Sequence, residues 1–101
     1  MSAYQLVIHE KAVNEIADAS EYYHQQKSGL GFEFEEDIFL MFTIIKRNPL
    51  LFPVKFARIH EAVVKRFPFV INYEIIDRKI IVLSVFHVKQ HPSKKIKKKS
   101  K

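Results

Sequence analysis

The chain has 101 residues and no cysteine, so it reads as one domain whose core needs no disulfide and whose chemistry excludes a thiolate. Its net charge of +6 is divided by sign: residues 1–54 hold four Lys/Arg against eight Asp/Glu, net −4, and residues 55–101 hold thirteen against three, net +10. The opening MSAYQLVIHEKA has no apolar run long enough for a signal peptide and no stretch approaches a membrane span, so a cytoplasmic protein is expected.

In chain order, Tyr4 to Ile8 alternates and is rich in β-formers, which predicts a first strand. From Glu10 the period becomes helical: Val13, Ile16, Ala17, Ser20 and Tyr23 make an apolar face, with Asn14, Asp18, Glu21 and Gln25 opposite. Ser28-Gly29 ends that helix. A second helix starts near Leu30-Gly31, with Leu30, Phe34, Ile38, Met41, Phe42 and Ile45 as its stripe. Glu33, Glu35, Glu36 and Asp37 occupy its first turns and Lys46-Arg47 its last, the order that offsets the helix dipole. Asn48-Pro49 stops it, and so short a turn between the helices requires antiparallel packing. Phe32, Phe39 and Leu40 lie off the stripe. They are either core filler where the helices meet a sheet or an exposed patch that marks a protein partner.

The second half is expected to be a β-meander. Arg58 to Phe67 mixes apolar and polar residues as a strand does, and Pro68 marks the start of the next one. There Phe69, Ile71, Tyr73 and Ile75 share one side, with Tyr73 expected beneath the helices, and Val70, Asn72, Glu74 and Ile76 share the other. Asp77-Arg78-Lys79 turns the chain into a run from Ile80 to Val88, which completes an antiparallel hairpin. Residues 1–92 therefore form a single domain. Residues 93–101, SKKIKKKSK, are too polar to bury a core and are expected to be a disordered basic tail.

Chemistry is sparse. His87 and His91 stand i,i+4, a spacing that joins two imidazoles only on a helix, and a strand is expected here, so no metal site is predicted. Both glycines sit in the turn between helices, which leaves no phosphate loop, and Ser84 lacks a nucleophile elbow. No cofactor is expected. Arg58, His60, Lys65, Arg66, His87, Lys89 and His91 can supply the cations, acid and base that RNA cleavage needs. They equally suit a surface for phosphates or carboxylates.

The order of these elements, with GLGFEF, RNPLLFP, the Phe67-Pro68-Phe69 turn and Ser84-Val85-Phe86-His87, resembles the RelE/ParE superfamily of type II toxin–antitoxin toxins over residues 4–92. The resemblance is closer to the ParE-like, plasmid-stabilisation branch. It implies an α+β fold, an antiparallel sheet covered on one face by the N-terminal helical hairpin in the order β-α-α-β-β-β, with the first strand beside the last. It also implies a cognate antitoxin as partner.

Activities within the superfamily divide. RelE-like members cut mRNA on the ribosome with basic residues on the sheet and near the C-terminus, whereas ParE-like members poison DNA gyrase. The resemblance places Val70 and Val88 where RelE-like toxins have arginines, and Lys94 where they have an aromatic hydroxyl. Closer relatives read Arg-Glu-Ala where His60-Glu61-Ala62 stands and end in arginine at Gln90; Arg58 and Lys89 are the candidates to restore those charges, without which the toxin is weakened. The expected function is a ParE-like toxin that binds a target such as gyrase and is neutralised by its antitoxin. The target- or antitoxin-binding residues would be Arg58, His60, Arg66, His87, Lys89 and His91. The alternative is a ribosome-dependent endoribonuclease using Arg58, Lys65, Arg66, His87 and Lys89. A plain nucleic-acid-binding module is the third reading, and it lacks the aromatic stacking pattern of a single-strand binder.

Overall fold

The computed structural model describes residues 3–90. The elements are β1 (Gln5–Ile8), α1 (Glu10–Gln26), α2 (Leu30–Arg47), β2 (Val54–Phe56), β3 (Ile59–Val63), β4 (Phe69–Ile76), β5 (Lys79–His87) and a 3-10 turn at Val88–Gln90. His91 and the tail from Ser93, with the expectations attached to them, lie outside the described residues.

His9 starts α1 by accepting the Lys11 N–H on its Nδ1 atom at 3.3 Å. The chain re-enters a helix through Gly29, whose φ of 82° suits a residue without a Cβ. At Gly31 the helices press together: a Cβ built there would sit 2.5 Å from the Ser20 carbonyl oxygen. The Ser20 hydroxyl donates to the Glu35 carboxylate across this seam.

Burial on α2 follows the expected stripe of Phe34, Ile38, Met41, Phe42 and Ile45. On α1 it does so in part: Ile16 and Ser20 are buried and Tyr23 packs against the core as expected. Ala12 and Ala19, however, are buried in place of Ala17 and Val13, the latter 48% exposed, so the inner face is turned slightly from the expected one. Small side chains let α1 approach α2 and the sheet closely, and that closeness outweighs the bulk of Val13. Phe32, Phe39 and Leu40 are 64%, 50% and 58% exposed, which makes them a surface patch and not core filler.

The sheet order is β1-β5-β4-β3-β2. β1 runs parallel to β5, from Gln5 beside Lys79 to Ile8 beside Val82, and the other pairs are antiparallel. The sheet is thus mixed, which corrects the wholly antiparallel expectation: alternation marks a strand but carries no information on its direction. β2 is an added edge strand of three exposed residues, too short to read beside Pro53. β3 stops at Val63, and residues 64–68 form a loop closed by the Val64 N–H on the Phe69 carbonyl at 2.9 Å.

Phe69, Ile71 and Tyr73 face the helices and join the core. Val70 and Phe86 pair across the sheet, each 5% exposed, outside the core cluster. Register shifts between Asn72 and Tyr73, which oppose Ser84 and Val82, so Leu83 is the extra residue of a bulge. β1 pairs with β5 only as far as Val82, and beyond it Glu15 of α1 takes the open edge. Its Oε1 accepts the Val85 N–H at 2.8 Å and the Ser84 hydroxyl at 3.0 Å, and Lys11 Nζ lies 2.7 Å from Oε2.

Removing that carboxylate strands a part-buried N–H and a hydroxyl. Glu15→Ala should therefore lower unfolding free energy by about 1–3 kcal/mol in urea titrations. Glu15→Gln, which keeps a carbonyl acceptor, should lose less, and an equal loss in both would assign the effect to charge alone.

Candidate partner-binding site

The end of the sheet where β5 stops is built from three segments. The loop carrying Lys65 and Arg66 leads into β4, the 3-10 turn carrying Lys89 follows β5, and α1 crosses above. The Val88 N–H donates to the Pro68 carbonyl at 2.8 Å, which ties the turn to the loop. Between α1 and this end lies a groove of about 680 Å³. Asp18 and Tyr22 form its helical wall, Phe69 and Val85 its floor, and His87 and Lys89 its far rim.

Aromatic side chains shape the floor. Tyr23 sets its edge to Phe67 at 4.9 Å between centroids, and Phe34 meets Phe69 at 4.9 Å. Tyr22, 59% exposed, stands edge-on to Tyr23. Burial pushes the Tyr23 hydroxyl above its ordinary pKa, helped by Tyr22 beside it, so Tyr23 stays a neutral donor. One rim thus carries a carboxylate, the other a cation, with apolar rings between. That arrangement suits an amphipathic segment.

His87 packs its ring edge-on to Phe69 at 5.3 Å, and its Nδ1 accepts the Lys89 N–H at 3.0 Å. An Nδ1 engaged as acceptor leaves the proton on Nε2 in the neutral ring. Arg66 is held away from the groove. Its guanidinium donates to Glu33 at 2.6 Å, lies 3.6 Å from Asp37 and covers the Phe67 ring at 5.5 Å. The Glu33 hydrogen bond first, and the Asp37 charge second, raise its pKa further. Arg66 therefore latches the loop to α2.

The remaining sequence-predicted residues do not converge. Arg58 sits in the turn between β2 and β3, beside Ala57, whose φ of 51° is left-handed. β3 separates it from Lys65 and Arg66, and its length is about 13 Å. His60, expected on a binding surface, is buried at 8% exposure. It stacks on Tyr73 at 4.9 Å and bonds the Phe52 carbonyl through Nδ1 at 2.7 Å, so its partners are interior ones. Lys65 and Lys89 are exposed, and His91 lies outside the described residues. Val70 is buried and Val88 is 39% exposed. Among the described residues no group of three or more His, Cys, Asp or Glu is placed to hold a metal ion, and no helix is long and apolar enough to cross a membrane.

Sequence reasoning missed Asp18 and Tyr22 as a groove wall. Their signal was present, since they stand i,i+4 on one helical face. Glu15 had none, because its partners are brought to it by the bulge in β5.

No family model and no curated protein matches the chain. Among solved structures, a chain of the chromosomal ParDE TA system from P. aeruginosa matches with a TM-score of 0.75 at 15% identity. The match covers 85% of this chain and 97% of that one. A helical hairpin on a mixed five-stranded sheet, with the first strand beside the last, is thus the fold that this chain shares with a ParDE toxin–antitoxin protein.

Proposed function

We propose that the chain is the toxin of a type II toxin–antitoxin module, a ParE-like member of the RelE/ParE superfamily. It acts in the cytoplasm by binding a large target such as DNA gyrase, and a cognate antitoxin neutralises it. The observation that carries this reading is the fold shared with a chain of a ParDE system over nearly all of that chain's length.

The site's chemistry supports binding over cleavage. Phosphodiester cleavage needs cations on the scissile phosphate and a proton donor and acceptor within about 3 Å of it. Here Arg66 is engaged by two carboxylates, His87 Nδ1 is engaged by a backbone N–H, and Arg58 stands at the other end of β3. Val70, at a position where RelE-like toxins have arginine, is buried. The groove between α1 and β5 suits an amphipathic antitoxin segment that folds as it binds, with Lys89 on its rim meeting a carboxylate of that segment.

The purified chain should inhibit gyrase supercoiling and leave ribosome-bound mRNA uncut, and supercoiling should be restored with antitoxin present. Site-specific mRNA cleavage that disappears in a correctly folded His87→Ala or Arg66→Ala variant would make the endoribonuclease reading the right one.

A further inference from the structure

The outer face of α2 is unlike an ordinary wet helix surface. Glu36, Leu40, Thr43 and Arg47 follow one another at i, i+4, i+7 and i+11, so they form a single stripe. All four are exposed, Leu40 at 58%, and Phe39 at 50% widens the stripe in the middle. The Thr43 hydroxyl donates to the Phe39 carbonyl at 3.1 Å, which leaves the threonine methyl as the surface it offers a neighbour. The stripe is therefore apolar at its centre, acidic at one end and basic at the other.

The spacing of that stripe is symmetric. Glu36 and Arg47 share a midpoint with Leu40 and Thr43, between Met41 and Phe42. A twofold axis through that point sets Glu36 opposite Arg47 of a second copy and Leu40 opposite Thr43 of the second copy. Each charge then lies about 8 Å along the axis from the centre, within the helix on both copies. A parallel arrangement would oppose like charges.

We infer that a second copy of this chain packs antiparallel against the outer face of α2, with Leu40 and Phe39 at the centre and Glu36–Arg47 pairs at both ends. The inference does not depend on the proposed function. Charge selects α2 over the other large apolar surface, at β2. There Leu50, Leu51, Val54 and Phe56 are 71%, 58%, 51% and 75% exposed, but Lys55 and Arg58 lie among them. Pairing two copies at that edge would bring like charges together, as protective edge lysines do. One helix face is a small interface, of the size typical of weak and transient contacts, so dissociation is expected in the micromolar range.

Sedimentation equilibrium of the full chain up to about 200 µM tests it, since that range brackets micromolar dissociation. The expected result is a monomer–dimer equilibrium. Glu36→Arg or Arg47→Glu alone should weaken it by about tenfold, through like charges at both ends of the interface. The double variant should return to within about threefold of the unaltered chain, since the swapped pair is again complementary. Because both residues are exposed, that rescue also shows the fold to be intact. A monomer throughout the range, or single reversals without effect, or a double variant as weak as the singles, would each overturn the inference.

Discussion

Ile71→Ala is expected to lower the unfolding free energy by about 2–5 kcal/mol, the range of core truncations that leave a cavity. Ile71 is fully buried, opposes Ala62 on β3 and Val85 on β5, and belongs to the cluster formed with the helices. Neither neighbour can fill the space: Ala62 is small, and Val85 is a short β-branched side chain held by its own strand. Ile76, at the exposed end of the same strand, is the control, at 41% exposure. Ile76→Ala should stay within about 1 kcal/mol, as surface changes do. Urea unfolding with unchanged m-values would measure both. A loss at Ile71 no larger than at Ile76 would mean that the two faces of β4 have been exchanged.

That strand shows how far alternation reaches. Phe69, Ile71 and Tyr73 were legible as inward residues because one face of β4 meets α1 and α2, and a half-covered strand carries period two. Val70 broke the rule. It pairs with Val63 and Phe86 on the far face, so both parities are buried near the sheet end. The helical stripe of α2 was legible for a similar reason, since its buried side chains are large. On α1 three of the four buried residues, Ala12, Ala19 and Ser20, are small, and a period carried by small side chains is hidden from a reading that weighs bulk. The parallel pairing of β1 was hidden too, because a short strand has the same pattern in either direction.

The candidate site was legible as a charge and illegible as a geometry. Ten net positive charges in the second half pointed to an acidic partner. Which cations face that partner depends on contacts from the first half: Glu33 and Asp37 lie far from Arg66 in sequence, yet they engage it. His60 was drawn inward by Tyr73 and the Phe52 carbonyl, an arrangement that requires β3 to lie beside β4. Strand-end residues keep their place only when the strand ends are known. Arg58 and Arg66 were read as one set from their charge alone, and β3, which lies between them, holds them at its opposite ends.

Tyr73→Phe should both destabilise the protein and flatten its alkaline unfolding. The Tyr73 side chain is fully buried, its ring stacks on His60 at an interplanar angle of 9°, and its hydroxyl donates to the Pro49 carbonyl at 2.6 Å. His60 holds the Phe52 carbonyl, so the pair fastens the segment that leaves α2 to the middle of the sheet. Phenylalanine keeps the stack and leaves the Pro49 carbonyl without its partner, a loss of about 1–3 kcal/mol at neutral pH. Burial also pushes the Tyr73 hydroxyl from 10.0 up to about 12. The sign follows from the neutral form being the one the fold accommodates. Below pH 10 this contribution is fully present, and it is lost as the pH rises towards 12, because the unfolded chain releases its proton first. The loss is on the order of 2–3 kcal/mol across that window. Tyr23 is raised as well, so the variant retains a smaller slope from that residue. Unfolding free energies measured in urea at neutral pH and at two points above pH 10 should therefore converge for the two proteins. Curves that stay parallel through that window would show that the Tyr73 hydroxyl ionises as it does in water, and that the burial assigned to it is wrong.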